Sequence, residues 1–210
     1  MTQKLKSAAA TNTAATNTAA TSIKPWDFME RRNWGDSDTD EPFWDGVYRK
    51  AFPNLVNHMA TVGDHASQRM GIDRIILLAN GRTVYIDEKK REREYGDILL
   101  EYISVDTTGA PGWIEKDLAI DYLAYAFINS GRCYLFSWPL LRQAWAVYGE
   151  RWKAAYSPVC GANRGYKSYS LPIPIPTLQR AIARCSVVNI QVSGCGEDYT
   201  SGEDYTGAGG

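Results

Sequence analysis

Asp73, Asp87 and Lys89 are the residues of this sequence whose types and spacing are best suited to chemistry. Asp73 lies near the start of the run GIDRIILLANG, and the run RTVYIDEK contains Asp87 and ends at Lys89. Side chains alternate between the faces of a strand, so Asp87 and Lys89 would point the same way while Glu88 points to the opposite face. The Asn-Gly pair between the two runs is a strong hairpin signal, and a hairpin would bring Asp73 close to the other two. Two carboxylates and one ammonium group in one place are suited to metal-assisted hydrolysis of a phosphodiester.

Magnesium is the cation that this set of residues would be expected to hold. Mg²⁺ prefers oxygen ligands and usually takes one or two carboxylates besides water and substrate phosphate. Asp73 and Asp87 would supply the carboxylates and the backbone carbonyl of Glu88 a further oxygen, with Mn²⁺ as an alternative ion. Lys89 would orient or deprotonate the attacking water and offset the charge of the phosphate. The competing interpretation is a solvated strand end whose charged residues form only weak surface ion pairs.

Three residues elsewhere are candidates for lining the same site. Asp64 and Gln68 belong to the segment that leads to Asp73, although helix capping explains them equally well. Glu101, in the run DILLEYIS, shares a predicted strand face with apolar residues. A buried carboxylate is costly without a partner, so Glu101 is expected to meet a metal ion or a lysine.

Three basic residues that follow the site are candidates for contacts with a nucleic-acid backbone. Lys90, Arg91 and Arg93 come directly after Lys89, and basic side chains of this kind neutralise phosphates. Two glutamates alternate with them and dilute the positive field, so simple solvation is the other interpretation.

The elements that must carry these residues follow from periodicity and turn signals. Apolar residues from Phe43 to about Met70 have helical spacing and predict two helical pieces. A three-stranded antiparallel meander, a helix, a fourth strand and another helix are predicted to follow, at Ile72–Ala79, Thr83–Lys89, Asp97–Ser104, Glu115–Ile128, Arg132–Ser137 and from Pro139 onward. Alternating prolines make Tyr166–Ile175 an edge segment at best, and a short helix at Thr177–Ala183 ends the domain. The expected fold is therefore α/β, with a mixed central sheet flanked by helices.

Composition divides the chain of 210 residues into three parts. Residues 1–24 repeat the unit AATNT and are expected to be a disordered low-complexity leader, whereas residues 25–183 have the patterning of one folded domain. Residues 184–210 contain GEDYT twice and are expected to form a flexible, acidic, glycine-rich tail.

The charge balance and the apolar runs also limit the class of protein. The net charge of -1 provides no global attraction for nucleic acid, so a polyanion site would have to be local. The four cysteines form no C-x-x-C pair, and no apolar run approaches the roughly 20 residues of a membrane helix. A cytoplasmic protein that does not enter a membrane is therefore expected.

The order of helix, three strands, helix and strand, with an early aspartate and a D-x-K triplet on the second strand, resembles the PD-(D/E)xK nuclease superfamily. This superfamily includes restriction endonucleases, phage exonucleases and Holliday junction resolvases. The matching residues are Asp73, Asp87 and Lys89, while Ile72 stands where the family usually has proline. The resemblance covers roughly Trp44 to Trp152. The local sequences GIDR, IDEK, DILLE and GWI are also similar to those of small phage-encoded members of the superfamily.

The resemblance implies a restriction-endonuclease-like αβββαβ core and a Mg²⁺-dependent nuclease. Its substrate would be DNA, and it would act as an endonuclease, structure-selective or sequence-tolerant, in phage recombination or DNA processing. A phage-encoded member would work in the host cytoplasm, and many enzymes of this type cut as homodimers. One alternative is a catalytically inactive nucleic-acid-binding or regulatory protein with the same fold, because one fold serves many functions. Another is a phage structural or adaptor protein.

Overall fold

The computed structural model describes residues 40–186. The predicted leader lies outside this range, as do the first residues of the predicted domain and nearly all of the predicted tail. Within the described range the chain forms nine β-strands in two sheets, together with four α-helices. None of these helices is both long enough and apolar enough to cross a membrane.

The first sheet has five strands in the order β1-β2-β3-β6-β7. Their bounds are Leu55–Ala60 for β1, Arg74–Leu78 for β2, Thr83–Arg91 for β3, Tyr122–Phe127 for β6 and Arg132–Ser137 for β7. Neighbouring strands are antiparallel except β3 and β6, which are parallel. The sheet is therefore mixed, as the sequence predicted, and the predicted turn at Gly81 joins β2 to β3 with a positive φ of 79°.

The second sheet has four antiparallel strands in the order β5-β4-β9-β8. Their bounds are Asp97–Val105 for β4, Ala110–Pro111 for β5, Val159–Asn163 for β8 and Tyr166–Pro174 for β9. A short 3-10 helix at Trp113–Glu115 follows β5. Both β4 and β5 belong to the connection that leads from β3 to its parallel neighbour β6.

Four α-helices cover the sheets: α1 at Glu41–Ala51, α2 at His65–Arg69, α3 at Trp138–Ala155 and α4 at Ile175–Cys185. Helix α1 packs Trp44 and Tyr48 on one face of the first sheet, against Ile76, Ile86 and other apolar residues. The opposite face of the first sheet shares a larger core with the second sheet and with α3 and α4. Burial of these apolar side chains is the main favourable contribution to the free energy of folding. The arrangement of the sheets and helices confirms the predicted mixed α/β architecture with flanking helices.

Two predicted helices are strands in the structure. The second helical piece expected before Met70 is largely β1, which pairs with β2, and its Met59 and Val62 are more than half exposed. The helix expected at Glu115–Ile128 is replaced by β6, whose run YLAYAF is buried almost throughout. A uniformly apolar run suits a strand that is covered on both faces as well as it suits a helix, and helical spacing within it carries little information.

Two predicted strand positions are also wrong. The run DILLEYIS forms β4, but β4 belongs to the second sheet, and β3 has β2 and β6 as its neighbours instead. Strand β9 lies between β4 and β8, not at an edge as predicted for Tyr166–Ile175. Its prolines are tolerated because β8 pairs only with residues 166–170, so Pro172 and Pro174 have a strand on one side alone.

Candidate active site

Asp73 is held against β3 by its backbone and by its side chain. It directly precedes β2, and its N–H donates to the Ile86 carbonyl at 2.9 Å. Its Oδ2 accepts the backbone N–H of Glu88 at 2.9 Å. The Asp73 carboxyl group therefore lies beside β3 where the backbone of an earlier residue would lie if β2 began sooner in the chain.

Asp87 is a buried carboxyl group that meets Asp73 and Lys89. Only 2% of Asp87 is exposed. Burial raises its pKa to about 8, because the repulsion and hydrogen bonding of Asp73 add to the loss of hydration while attraction by Lys89 opposes them. Asp73, directly before β2, and Asp87 on β3 are thus brought together, and the raised pKa favours the protonated form of Asp87.

Lys89 lies on the same face of β3 as Asp87 and donates a hydrogen bond to Asp87 Oδ1. Burial alone would lower the pKa of Lys89, but the charges of Asp87, Asp73 and Glu101 raise it. About 30% of the lysine side chain is exposed. The ammonium group is therefore held in its charged form next to the carboxyl groups.

Glu101 reaches this group from β4 of the second sheet. It is partly buried, and its charge is among those that raise the pKa of Lys89. The charge of Glu101 thus acts on a lysine, one of the two kinds of cation that the sequence suggested for it. Both sheets thus contribute acidic groups around one ammonium.

Asp87 stands at the boundary between a covered and an open part of the same sheet face. Leu123 of β6, beside Asp87 in the parallel ladder, is fully buried in the core between the sheets. Tyr85, two residues earlier on the same face of β3, is 38% exposed, and Leu77 of β2 is 41% exposed. Asp73 is only partly buried and 30% of the Lys89 side chain is exposed, so these two residues are the part of the group that solvent reaches.

The backbone of Glu88 faces Asp73. In an antiparallel ladder the N–H and C=O of one residue face the same neighbouring strand. The Glu88 N–H is bonded to Asp73, so its carbonyl also faces the Asp73 side, where it could serve as a metal ligand. The Glu88 side chain lies on the opposite sheet face, as strand alternation predicted.

The donor set fits a hard divalent cation better than a softer one. Within residues 40–186, no three His, Cys, Asp or Glu side chains form a metal-holding group. Mg²⁺ does not require three, because it usually keeps several waters and takes one or two carboxylates. Asp73, Asp87 and the Glu88 carbonyl offer such oxygens, and a bound cation would relieve the repulsion between the two carboxyl groups.

Asp64 and Gln68 were expected to line the site, and the structure gives Asp64 a role in capping a helix. Asp64 is the N-cap of α2: its Oδ1 accepts the N–H groups of Ala66 and Ser67, and its Oδ2 accepts the Ser67 hydroxyl. These bonds lower the pKa of Asp64, with the Ser67 hydroxyl as the largest cause. Helix capping thus accounts for Asp64, while Gln68 is a partly exposed residue of the same short helix.

The three basic residues after the site differ in where they point. Lys90 was expected to contact phosphates at the surface, but its side chain is 4% exposed and pairs with Asp40 at 2.7 Å. Strand alternation explains this outcome, because Lys90 lies on the face that α1 covers. Arg91, on the Lys89 face, pairs with Asp97 and stacks on the ring of Tyr95, with 4.6 Å from Cζ to the centroid. Arg93 is exposed.

A partly buried polar network behind the site was not anticipated from the sequence. Arg74 Nε donates to Glu88 Oε1 at 2.8 Å, and its two Nη groups donate to Glu41 at 2.7 and 2.9 Å. The Tyr48 hydroxyl donates to the same Glu88 oxygen at 2.7 Å. Burial raises the pKa of Tyr48, and the negative charge of Glu88 adds to this effect. A signal did exist, because Arg74 and Glu88 directly follow Asp73 and Asp87 and must therefore share the other face.

His58 completes this network on β1. Its Nδ1 lies 3.1 Å from Arg74 Nη1, and its Nε2 lies 3.0 Å from Asp45 Oδ1. Arginine can only donate, so Nδ1 accepts and Nε2 carries the proton that is donated to Asp45. Residues from α1, β1, β2 and β3 are thereby connected.

Comparisons with known proteins were made by sequence and by structure. The chain matches no protein-family model, and neither a curated protein nor a solved structure is significantly similar to it.

Proposed function

We propose that this protein is a metal-dependent nuclease that hydrolyses phosphodiester bonds. The observation that carries the proposal is the meeting of Asp73 and Asp87 on adjacent strands, with the Lys89 ammonium bonded to Asp87. Asp87 is buried, whereas Asp73 and Lys89 are partly exposed beside it.

A purely structural ion pair explains this arrangement less well. Lys89 needs one carboxylate as a partner, yet two carboxyl groups lie beside it, and Glu101 adds another negative charge nearby. Burial, with a smaller contribution from Asp73, disfavours the ionised form of Asp87 and raises its pKa to about 8. Sites of this kind, in which burial and like charges perturb a carboxyl group, are candidates for function.

Each residue has a role in the proposed reaction. Asp73 and Asp87 would bind Mg²⁺ or Mn²⁺, and the Glu88 carbonyl would add an oxygen ligand. When bound, the ion would polarise the scissile phosphate and lower the pKa of the attacking water. Lys89 would hold that water in line, take part in its deprotonation and offset the developing charge on the phosphate oxygens.

Membership of the PD-(D/E)xK superfamily is part of the proposal. It is supported by an aspartate directly before β2, a D-x-K triplet on β3 and a strand, β6, parallel to β3. The connection from β3 to β6 departs from the αβββαβ order, because it runs through β4, β5 and a 3-10 helix instead of an α-helix. We therefore propose a restriction-endonuclease-like core in which a second sheet takes the place of that helix.

We propose DNA as the substrate and endonucleolytic cleavage as the reaction, in phage recombination or DNA processing. Arg93 is exposed and Arg91 lies on the site face, so these two could contact phosphates that flank the scissile bond. A homodimer and a cytoplasmic location, which is the host cytoplasm for a phage protein, belong to the same proposal.

Cleavage of plasmid and branched DNA by the purified chain with Mg²⁺ or Mn²⁺ tests the proposal. Asp73→Asn, Asp87→Asn and Lys89→Met should abolish cleavage while circular dichroism remains that of the wild type. Glu150→Gln is the control, because Glu150 lies on α3 with 90% of its side chain exposed. Full cleavage by Asp87→Asn and Lys89→Met would refute the assignment. An inactive wild type that binds DNA without metal would favour the binding or regulatory alternative.

A further inference from the structure

We propose that Arg74 and Glu88 are positioning residues that hold the two candidate metal-binding carboxyl groups together from the opposite face of the sheet. This inference rests on the proposed function, because it concerns the same site. Arg74 directly follows Asp73, and Glu88 directly follows Asp87. Consecutive side chains of a strand lie on opposite faces, so the Arg74–Glu88 pair is directly behind the acids.

The Arg74 guanidinium is fixed by several partners at once. It is 3% exposed, and its donors reach Glu88 on β3, Glu41 on α1 and His58 on β1. Its planar, forked set of donors fits two carboxylates and restricts both in direction. The hydrogen bonds of Glu41 and the charge of Glu88 outweigh burial and raise the pKa of Arg74, so the group stays charged.

Glu88 is fixed just as firmly. Its Oε1 accepts from Arg74 Nε and from the Tyr48 hydroxyl, and 13% of its side chain is exposed. Tyr48 is itself fully buried and stacks on Trp44 of the same helix, with 5.8 Å between ring centroids. The position of Glu88 relative to β2 is therefore set by α1 as well as by the strand ladder.

The Arg74–Glu88 pair lies where it can hold this end of the β2–β3 hairpin together. The pairing of β2 with β3 ends at Arg74 and Ile86, and the two acids lie just beyond it. Whenever both carboxyl groups are ionised, they would repel each other and favour separation of the strand ends. An Arg74–Glu88 bond at 2.8 Å opposes that separation and keeps the Glu88 N–H within 2.9 Å of Asp73.

Stability alone does not require a charged network at this place. The neighbouring residues of the same layer, Ile76, Ile86 and Ala126, are apolar and fully buried. Apolar residues of similar volume commonly replace a buried ion pair without loss of stability. A positioning role accounts for the charged residues, since groups that orient metal ligands have a measurable effect on metal affinity.

Titration of the full chain with Mn²⁺, followed by calorimetry, tests the inference for the metal-bound state. Glu88→Gln keeps the shape of the side chain but removes its charge, and Tyr48→Phe removes a single hydrogen bond to Glu88. We expect about tenfold weaker Mn²⁺ binding for Glu88→Gln and a smaller change for Tyr48→Phe. The matched control is Val84→Ala, on the same face of β3, where Val84 is buried among apolar residues. It should lower the melting temperature and leave Mn²⁺ affinity within about twofold, because it removes no polar partner.

A second readout needs no metal. The N–H of residue 88 is bonded to Asp73, so its hydrogen exchange in the metal-free chain reports the geometry of the site. Hydrogen exchange at residue 88 should be at least about tenfold faster in Arg74→Lys or in Tyr48→Phe than in Val84→Ala. The comparison is made between variants that have the same free energy of unfolding. Equal exchange in matched variants, or unchanged Mn²⁺ affinity in Glu88→Gln, would overturn the inference. A wild type that binds no Mn²⁺ would instead overturn the proposed function, and the exchange data would still decide the positioning role.

Discussion

Replacing Asp87 by asparagine should change how the stability of the metal-free protein depends on pH. Burial and the neighbouring Asp73 raise the pKa of Asp87 from 3.8 to about 8. Stability from such a raised pKa is fully present below pH 3.8, where Asp87 is protonated in both states, and is lost as the pH rises through 8. The wild type should therefore become less stable between about pH 4 and 8, whereas Asp87→Asn should lack this loss.

The size of the effect follows from the shift. About four pKa units at about 1.4 kcal/mol each set an upper limit of about 6 kcal/mol. Relaxation of the site and entry of water beside the partly exposed Lys89 would lower this cost, so we expect a loss of about 3 kcal/mol in the free energy of unfolding. Mg²⁺ or Mn²⁺ should restore much of this loss at pH 8, because a ligand that binds only the folded state stabilises it.

Urea denaturation from pH 5 to 9 in the presence of a chelator measures this prediction. Tryptophan fluorescence is a suitable signal, since Trp44, Trp138, Trp145 and Trp152 are all buried. Glu150→Gln should follow the wild-type pH profile, because its side chain is almost fully exposed. A wild-type profile identical to that of Asp87→Asn would refute the reasoning and would indicate an Asp87 that is ionised throughout in an ordinary pair with Lys89.

Four other outcomes are expected. The affinity for Mn²⁺ should rise by about tenfold per pH unit up to about pH 8 and then level off, since ion binding displaces one proton from Asp87; calorimetry at several pH values would show no such slope if the carboxyl were already ionised. Gly112→Ala should destabilise the fold by at least about 2 kcal/mol, because its Cβ would lie 2.2 Å from the Glu101 carbonyl oxygen. Gly46→Ala, in open space inside α1, should stabilise it by about 0.5–1 kcal/mol, so thermal melts that rank the two variants in the other order would contradict this reading. Burial raises the pKa of Cys133 to about 12, so a thiol reagent at pH 8 should modify the exposed Cys160 well before Cys133, and equal rates would be the contrary result.

The fold was predicted best where the signals are local. The hairpin at Gly81, strand β7, and the helices α3 and α4 all follow from turn chemistry, proline placement and periodicity within about 15 residues. The runs LVNHMA and YLAYAF were predicted as helices and are strands, because their choice depends on neighbours far along the chain. Strand β1 exists through pairing with β2, and β6 through insertion beside β3.

The sequence by itself determined the content of the candidate site. Strand alternation puts Asp87 and Lys89 on one face and the Glu88 side chain on the other, and the Asn-Gly turn returns the chain so that Asp73 lies beside them. These relations need only the period of a strand and one turn. They hold whichever elements pack around the hairpin.

The tertiary structure alone decided the surroundings of those residues. It buried Asp87 beside Leu123 of β6, brought Glu101 of the second sheet toward Lys89, and joined Arg74 to Glu88, Glu41 and His58 behind the acids. It also covered Lys90 with α1, contrary to the surface contact that the sequence predicted. The physical reason is that burial, charge neighbours and pKa depend on segments distant in the chain, which come together only when the apolar faces of both sheets are packed.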